Sequence, residues 1–208
     1  MAKYLLGVLA VVGGFQMVRI VLASGSPARE NLLRQIGLPF KAIPSKIPEL
    51  RRKPATPEER VQLLALEKAK HVASRIRHGL VIGADTVVAH KEKVIGKPRN
   101  LTEARKILKE LSGSTHDVIT GIAIVDAETS RNSVDYVKTS VKMRRLTKKE
   151  IEAYLATGEP LGRAGAYAVQ GKGATLIERI EGCYYNVVGL PLPRLADMLK
   201  KFGTTLIQ

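Results

Sequence analysis

Two spacings of apolar residues run along this chain, and the switches between them mark out its elements. Residues 20–23 are a short apolar run rich in β-branched side chains and read as a buried strand. Ser24-Gly25-Ser26 turns the chain, and Pro27 opens a helix with Ser26 as its cap, ending near Gly37. Residues 40–57 carry prolines at 44, 48, 54 and 57 and read as an irregular connection. Thr56 caps the next helix, with Pro57 at its first position and Glu59 completing a capping box; this helix is expected to reach about Arg77. Residues 80–89 form a second buried strand, turned through 90–93 onto Val94-Ile95-Gly96. Asn100 or Thr102 caps a helix that ends by Gly113. Residues 118–125 and 134–143 follow as strands, the second alternating polar and apolar as antiparallel strands do. Thr147 and Glu150 make another capping box for a helix to about Ala156. A glycine-rich stretch, 162–173, leads into a strand over 174–180, and the last helix begins after Pro191-Leu192-Pro193. Strands and helices interleave, with some hairpins, so the expected class is α/β: a mixed β-sheet flanked by helices.

Within that frame, two residues break their local pattern. Asp85 lies in Val81-Ile82-Gly83-Ala84-Asp85-Thr86-Val87-Val88, an otherwise uncharged and mostly apolar strand. A carboxylate buried there needs a partner or a cation, because burying it alone costs several kcal/mol. A structural aspartate at a strand end is the plainer reading, and a functional one is preferred. Lys68 falls near the middle of the stripe made by Val61, Leu64, Ala65, Ala69, Val72 and Ile76, while Lys70 falls opposite. Its amine either snorkels outward or reaches a phosphate in a cleft. The turn Ser24-Gly25-Ser26-Pro27-Ala28-Arg29 joins a strand to a helix N-terminus, where outward N–H groups, two hydroxyls and the Arg29 fork suit an anion. It is not a Walker motif, since the Gly-Lys-Ser/Thr ending is missing.

Composition narrows the class. A length of 208 residues fits one large domain or two small lobes sharing a cleft. The net charge of +15 favours anionic partners, either nucleic acid or phosphorylated metabolites. The densest basic groups, Arg51-Arg52-Lys53 and residues 142–149, are short and interrupted, and aromatics make up only 4 %. Both points set a solvated surface ahead of a nucleic-acid interface. Cys183 is the single cysteine, so the fold does not depend on an internal disulfide and a reducing, cytoplasmic setting is expected. Residues 4–15 are apolar but too few for a comfortable membrane span. A signal peptide would find its small-residue site only at Ala23-Ser24-Gly25, and cleavage there would remove the first strand. Residues 1–17 are therefore read as an N-terminal extension, with 18–208 as a single domain and no membrane partner.

Taken together, the segments resemble the Maf family of nucleoside triphosphate pyrophosphatases. The motifs that carry the likeness are Leu22-Ala23-Ser24-Gly25-Ser26-Pro27, Glu67-Lys68-Ala69, Ile82-Gly83-Ala84-Asp85-Thr86 and Gly96-Lys97-Pro98. They continue through Leu111-Ser112-Gly113, Ala164-Gly165-Ala166-Tyr167, Gln170-Gly171 and Val188-Gly189-Leu190-Pro191, in one order from about Ile20 to Leu199. The resemblance implies two lobes around a deep cleft, as in inosine-triphosphatase-like folds, often as a homodimer. It implies hydrolysis between the α- and β-phosphates with a divalent cation, Mg²⁺, Mn²⁺ or Co²⁺. By motif position, Asp85 takes the catalytic carboxylate's place. Ser24, Arg29, Lys68 and Lys97 fall on phosphate-contacting positions, and Glu49 falls on a second acidic position that joins Asp85 as a metal candidate. Ala28, Thr86 and Gln170 fall on positions associated with base preference, and the last two look like the subgroup acting on dTTP and UTP. That subgroup carries two arginines after Ser-Pro, whereas here the pair is Ala28-Arg29. Two other classes stay open: a nucleotide-binding regulator of cell division, and a basic nucleic-acid-binding protein.

Overall fold

The computed structural model describes residues 19–47, 54–91 and 93–206. The expected N-terminal extension, Glu49 and the Arg51-Arg52-Lys53 group lie outside the described residues. Strands β1 (Ile20–Leu22), β2 (Phe40–Ala42), β3 (Leu80–His90), β4 (Lys93–Ile95), β5 (Thr115–Asp126), β6 (Asn132–Met143) and β7 (Ile177–Glu181) form one sheet. Its order is β2-β1-β3-β5-β6-β7, with β4 also on β3. The pairs of β1 with β2 and β3 are parallel and the others antiparallel, so the sheet is mixed as expected. The helices are α1 (Pro27–Gln35), α2 (Pro57–Ala73), α3 (Leu101–Leu111), α4 (Lys148–Leu155), α5 (Tyr184–Val188) and α6 (Leu192–Lys200).

Local chemistry starts these helices where the side chains allow it. The Thr56 hydroxyl accepts from the Glu59 N–H, while the Glu59 carboxylate accepts from the Ala55 N–H. Asn100, not Thr102, caps α3 by accepting from the Glu103 N–H at 2.9 Å. Thr147 and Glu150 form the reciprocal capping box at α4. Ser26 stands at the N-cap of α1, but its side chain makes no capping bond; its own N–H instead donates to Ser24 Oγ. Three other expectations need correction. Residues 40–42 are a strand, because their backbone continues the parallel ladder off β1 despite the prolines that follow. Helix α2 stops at Ala73, ahead of Gly79, which takes a left-handed φ of 122°. Residues 174–176 belong to a 3₁₀ turn, Gly171–Leu176, and β7 starts only at Ile177. The five-residue helix α5 carries no periodic signal and was not expected.

Helix α2 lies close against the sheet. A Cβ at Gly83 would run into the Ala65 carbonyl oxygen, and one at Gly121 into the Val61 carbonyl. Val21, Val81, Ala123 and Val125 meet Ala65, Ala69 and Val72 on that face. On the opposite face Leu22, Ile82, Ala84 and Ile122 pack with α1 and α6 through Leu32, Leu33, Leu195 and Leu199. A third core joins α3 and α4 to the far ends of β5 and β6. An opening in this sheet follows from strand pairing. Strand β1 covers β3 only over Leu80–Ile82, and β4 covers it only over Val88–His90. Residues 83–87 therefore have no described strand on that side, and the sheet is open where Asp85 and Thr86 stand.

Candidate active site

Because side chains alternate along a strand, Asp85 and Thr86 point to opposite faces of β3. Asp85 shares the α2 face with Val81 and Val87, and Thr86 shares the other face with Ile82 and Ala84. The opening in the sheet lets one cleft reach both. On the α2 side, Lys68 Nζ lies 2.5 Å from Asp85 Oδ1 and 3.4 Å from the Ala84 carbonyl. Lysine and carboxylate are 22 % and 18 % exposed at their side chains, so the two residues that break the apolar pattern are each other's partner. Burial pushes the Lys68 amine below its ordinary pKa; Asp85 pulls it back up, and Arg29 and Lys97 push it further down.

Arg29 knits the other side together. Its Nε donates to the Gly189 carbonyl at 2.8 Å, Nη1 to Ser24 Oγ at 3.2 Å and Nη2 to Thr86 Oγ1 at 3.0 Å. Burial lowers its pKa and Asp85 opposes that shift, but an arginine starts so high that the guanidinium stays charged. Residues 23–27 form the floor of an outer recess with Lys68, Lys97 and Arg163 around it. An inner recess adjoins it, lined by Thr86, Val88, Val118, Tyr167, Val169 and Gln170 among others. Ser26, Arg29, Lys68, Lys97 and Arg163 border both. The serine loop thus lies in the outer recess, while Asp85, Thr86 and Gln170 line the inner one beside the apolar Val88, Val118 and Val169, with the cations where the two adjoin. A polyanion joined to a planar, partly apolar group suits that division.

The structure brings together Ser24, Arg29, Lys68, Lys97, Asp85, Thr86 and Gln170. It sets Ala28 apart: the residue is 7 % exposed on α1 and lines neither recess. Arg163 was missed, since a lone exposed arginine before a glycine-rich turn carries no sequence signal. The turn itself is anchored by Tyr154 of α4, whose hydroxyl accepts from the Ala168 N–H and donates to Glu159. Glu159 in turn accepts from the N–H groups of Lys172 and Gly173, so Gln170 is held on a braced segment.

Asp85 is the one carboxylate among the described residues lining the cleft, and no described group of three His, Cys, Asp or Glu is placed to hold a metal. One carboxylate with open space beside basic groups suits a hard cation that takes its remaining ligands from phosphate and water. That donor set fits Mg²⁺ or Mn²⁺ better than a protein-enclosed site.

A family model described as "Maf-like protein" matches residues 19–202. A protein of Pelotomaculum thermopropionicum named dTTP/UTP pyrophosphatase is 51 % identical over 187 residues, covering 90 % of this chain and 98 % of its own. One of Acetivibrio thermocellus with the same name is 50 % identical over 199 residues, covering 92 % and 99 %. Among solved structures, a HAM1 protein from Coxiella burnetii aligns at 19 % identity and a TM-score of 0.45 over 64 % of this chain and 76 % of that one.

Proposed function

This chain belongs to the Maf family, and on that premise we propose that it hydrolyses nucleoside triphosphates, UTP and dTTP among them, to the monophosphate and pyrophosphate. The observation that carries the reading is the divided cleft. The serine loop lies in the outer recess, Asp85, Thr86 and Gln170 line the inner one, and Arg29, Lys68, Lys97 and Arg163 stand where the two adjoin. A triphosphate laid along the outer recess puts its phosphates among the cations and its base in the inner recess.

The chain's own groups divide the work. The loop hydroxyls and Arg29 hold phosphate oxygens, and Lys68, Lys97 and Arg163 offset the charge that gathers on the departing pyrophosphate. Lys68 holds Asp85 by Oδ1, which leaves Oδ2 for the attacking water. Asp85 orients that water and takes its proton. A divalent cation is part of the proposal: Asp85 would hold it together with substrate phosphates, and it would supply positive charge at the phosphoryl oxygens. The amide N–H of Gln170 can donate to a ring carbonyl of uracil or thymine. Homodimeric assembly and a cytoplasmic location belong to the same reading, supported by the family likeness and by the single cysteine.

The test is product analysis. With Mg²⁺, Mn²⁺ or Co²⁺ present, pyrophosphate and not orthophosphate should appear from UTP and dTTP, and chelator should abolish it. Asp85→Asn, nearly isosteric, should lose about 10²- to 10⁴-fold in turnover. Stepwise orthophosphate release, full activity in chelator, or a variant keeping more than about a third of the rate would overturn the reading.

A further inference from the structure

Behind Thr86 the structure holds a chain of hydroxyls whose protons can be assigned from their partners. Thr120 stands opposite Thr86 in the β3–β5 register, and the two Oγ1 atoms are 2.9 Å apart. Thr120 is fully buried, and its Oγ1 lies 3.0 Å from the carbonyl oxygen of Asn186 on α5. A carbonyl can only accept, so the Thr120 proton points at Asn186. With that proton committed, the short contact to Thr86 has a hydrogen only if Thr86 donates. On its other side Thr86 Oγ1 faces Arg29 Nη2 at 3.0 Å, and a guanidinium can only donate. The Thr86 hydroxyl has therefore given its proton inward and accepted one bond from Arg29. What it has left for the cleft is a lone pair.

The two anchors of this arrangement are themselves fixed. The Asn186 side chain is fully buried and donates to the Val118 carbonyl and to Thr139 Oγ1. Arg29 is tied to Gly189 and Ser24. Gly189, at φ 121°, has no side chain; a Cβ there would stand 3.6 Å from Thr86 Oγ1, so the approach to the hydroxyl is left open.

We propose that Thr120 is a positioning residue for base selection: by holding the Thr86 proton inward it makes Thr86 an acceptor toward the cleft, selecting pyrimidines with an N–H donor at N3. Uracil and thymine carry that donor, and cytosine presents a bare acceptor nitrogen in its place. Two acceptors facing each other leave both without a hydrogen, and a site built for a substrate N–H rejects the analogue lacking it. The proposal rests on the reading of the inner recess as the base site.

The experiment measures dissociation constants for UTP and CTP in chelator, so that no turnover is needed, and pyrophosphate release separately with Mg²⁺. Wild type should bind UTP at least roughly tenfold tighter than CTP, the worth of one well-placed hydrogen bond against a mismatched one. Thr120→Val removes the inward acceptor and frees the Thr86 proton to turn outward, so the UTP:CTP ratio should fall close to one, chiefly through tighter CTP binding. Thr120→Ser keeps the hydroxyl and should keep the ratio. In a Thr86→Val background, Thr120→Val should leave the ratio as it is. Should Thr120→Val not fold, wild type is compared on UTP and its N3-methyl derivative; a comparable constant for the two overturns the proposal. So does an unchanged ratio in folded Thr120→Val, or a wild type with no preference for UTP over CTP. Loss of pyrophosphate release with the binding ratio intact would instead strike at the hydrolytic reading and leave this one standing.

Discussion

Lys68 is held between forces of opposite sign. Asp85 at 2.5 Å favours its charged form, while burial and the neighbouring Arg29 and Lys97 work against it. Phosphates bound beside it would shift that balance toward the charged amine. Lys68→Met keeps most of the stem along the apolar face of α2 and deletes the amine. Asp85 then loses its direct partner but still faces the Arg29 charge, so stability should drop by only about 1–2 kcal/mol. Turnover per folded molecule should fall about 10²- to 10³-fold, as when one charge-stabilising donor is removed from a reaction centre. Thermal melts beside pyrophosphate assays separate the two effects. A large fall in Tm with unchanged activity per folded molecule would make the lysine structural. Asp85 and Lys68 were both legible as pattern-breakers in the sequence. Their pairing was not, because the residues lie on different elements and meet only when α2 is laid on β3.

At the scale of elements, the position of Lys68 depends on how close α2 comes to the sheet, and two glycines set that distance. Gly121 on β5 lies under the Val61 carbonyl, and Gly83 on β3 under Ala65. Neither takes a positive φ, so what each supplies is the missing side chain. Gly121→Ala should push the N-terminal half of α2 outward and cost roughly 1–3 kcal/mol or more, as overpacking of a close core contact does. Because Lys68 rides on the same helix two turns further on, pyrophosphate release should fall with it even in the folded fraction. Chemical denaturation together with kcat/KM on the folded enzyme checks this; an alanine variant with wild-type stability would show that the contact relaxes freely. The helices' starts were readable, since Thr56, Asn100 and Thr147 act within a turn of their own positions. The strand at Phe40–Ala42 and the short α5 were not, because a neighbouring strand and a buried asparagine, not local pattern, hold them in place.

For the whole molecule, the charge of +15 is spread along the sequence, yet folding sets Arg29, Lys68, Lys97 and Arg163 around one cleft. Clustered cations raise the local concentration of an anionic substrate, and salt weakens that pull as the screening length falls from about 10 Å at 0.1 M to about 3 Å at 1 M. KM for UTP should accordingly rise several-fold across that range while kcat changes much less; a KM that stays flat would assign the positive charge to a general surface property. The sequence by itself determined the α/β class, the positions of the main strands and helix starts, and several of the residues that line the cleft, because periodicity, caps and an out-of-place charge are local signals. Only the tertiary structure decided the rest. The short reach of β1 and β4 leaves β3 open over residues 83–87, so Asp85 and Thr86 serve one cleft from opposite faces. The burial of Ala28, the arrival of Arg163 and the Thr120–Thr86 contact likewise depend on which surfaces meet. Those meetings are fixed by pairing and packing between segments far apart in the chain, which no local stretch of residues encodes.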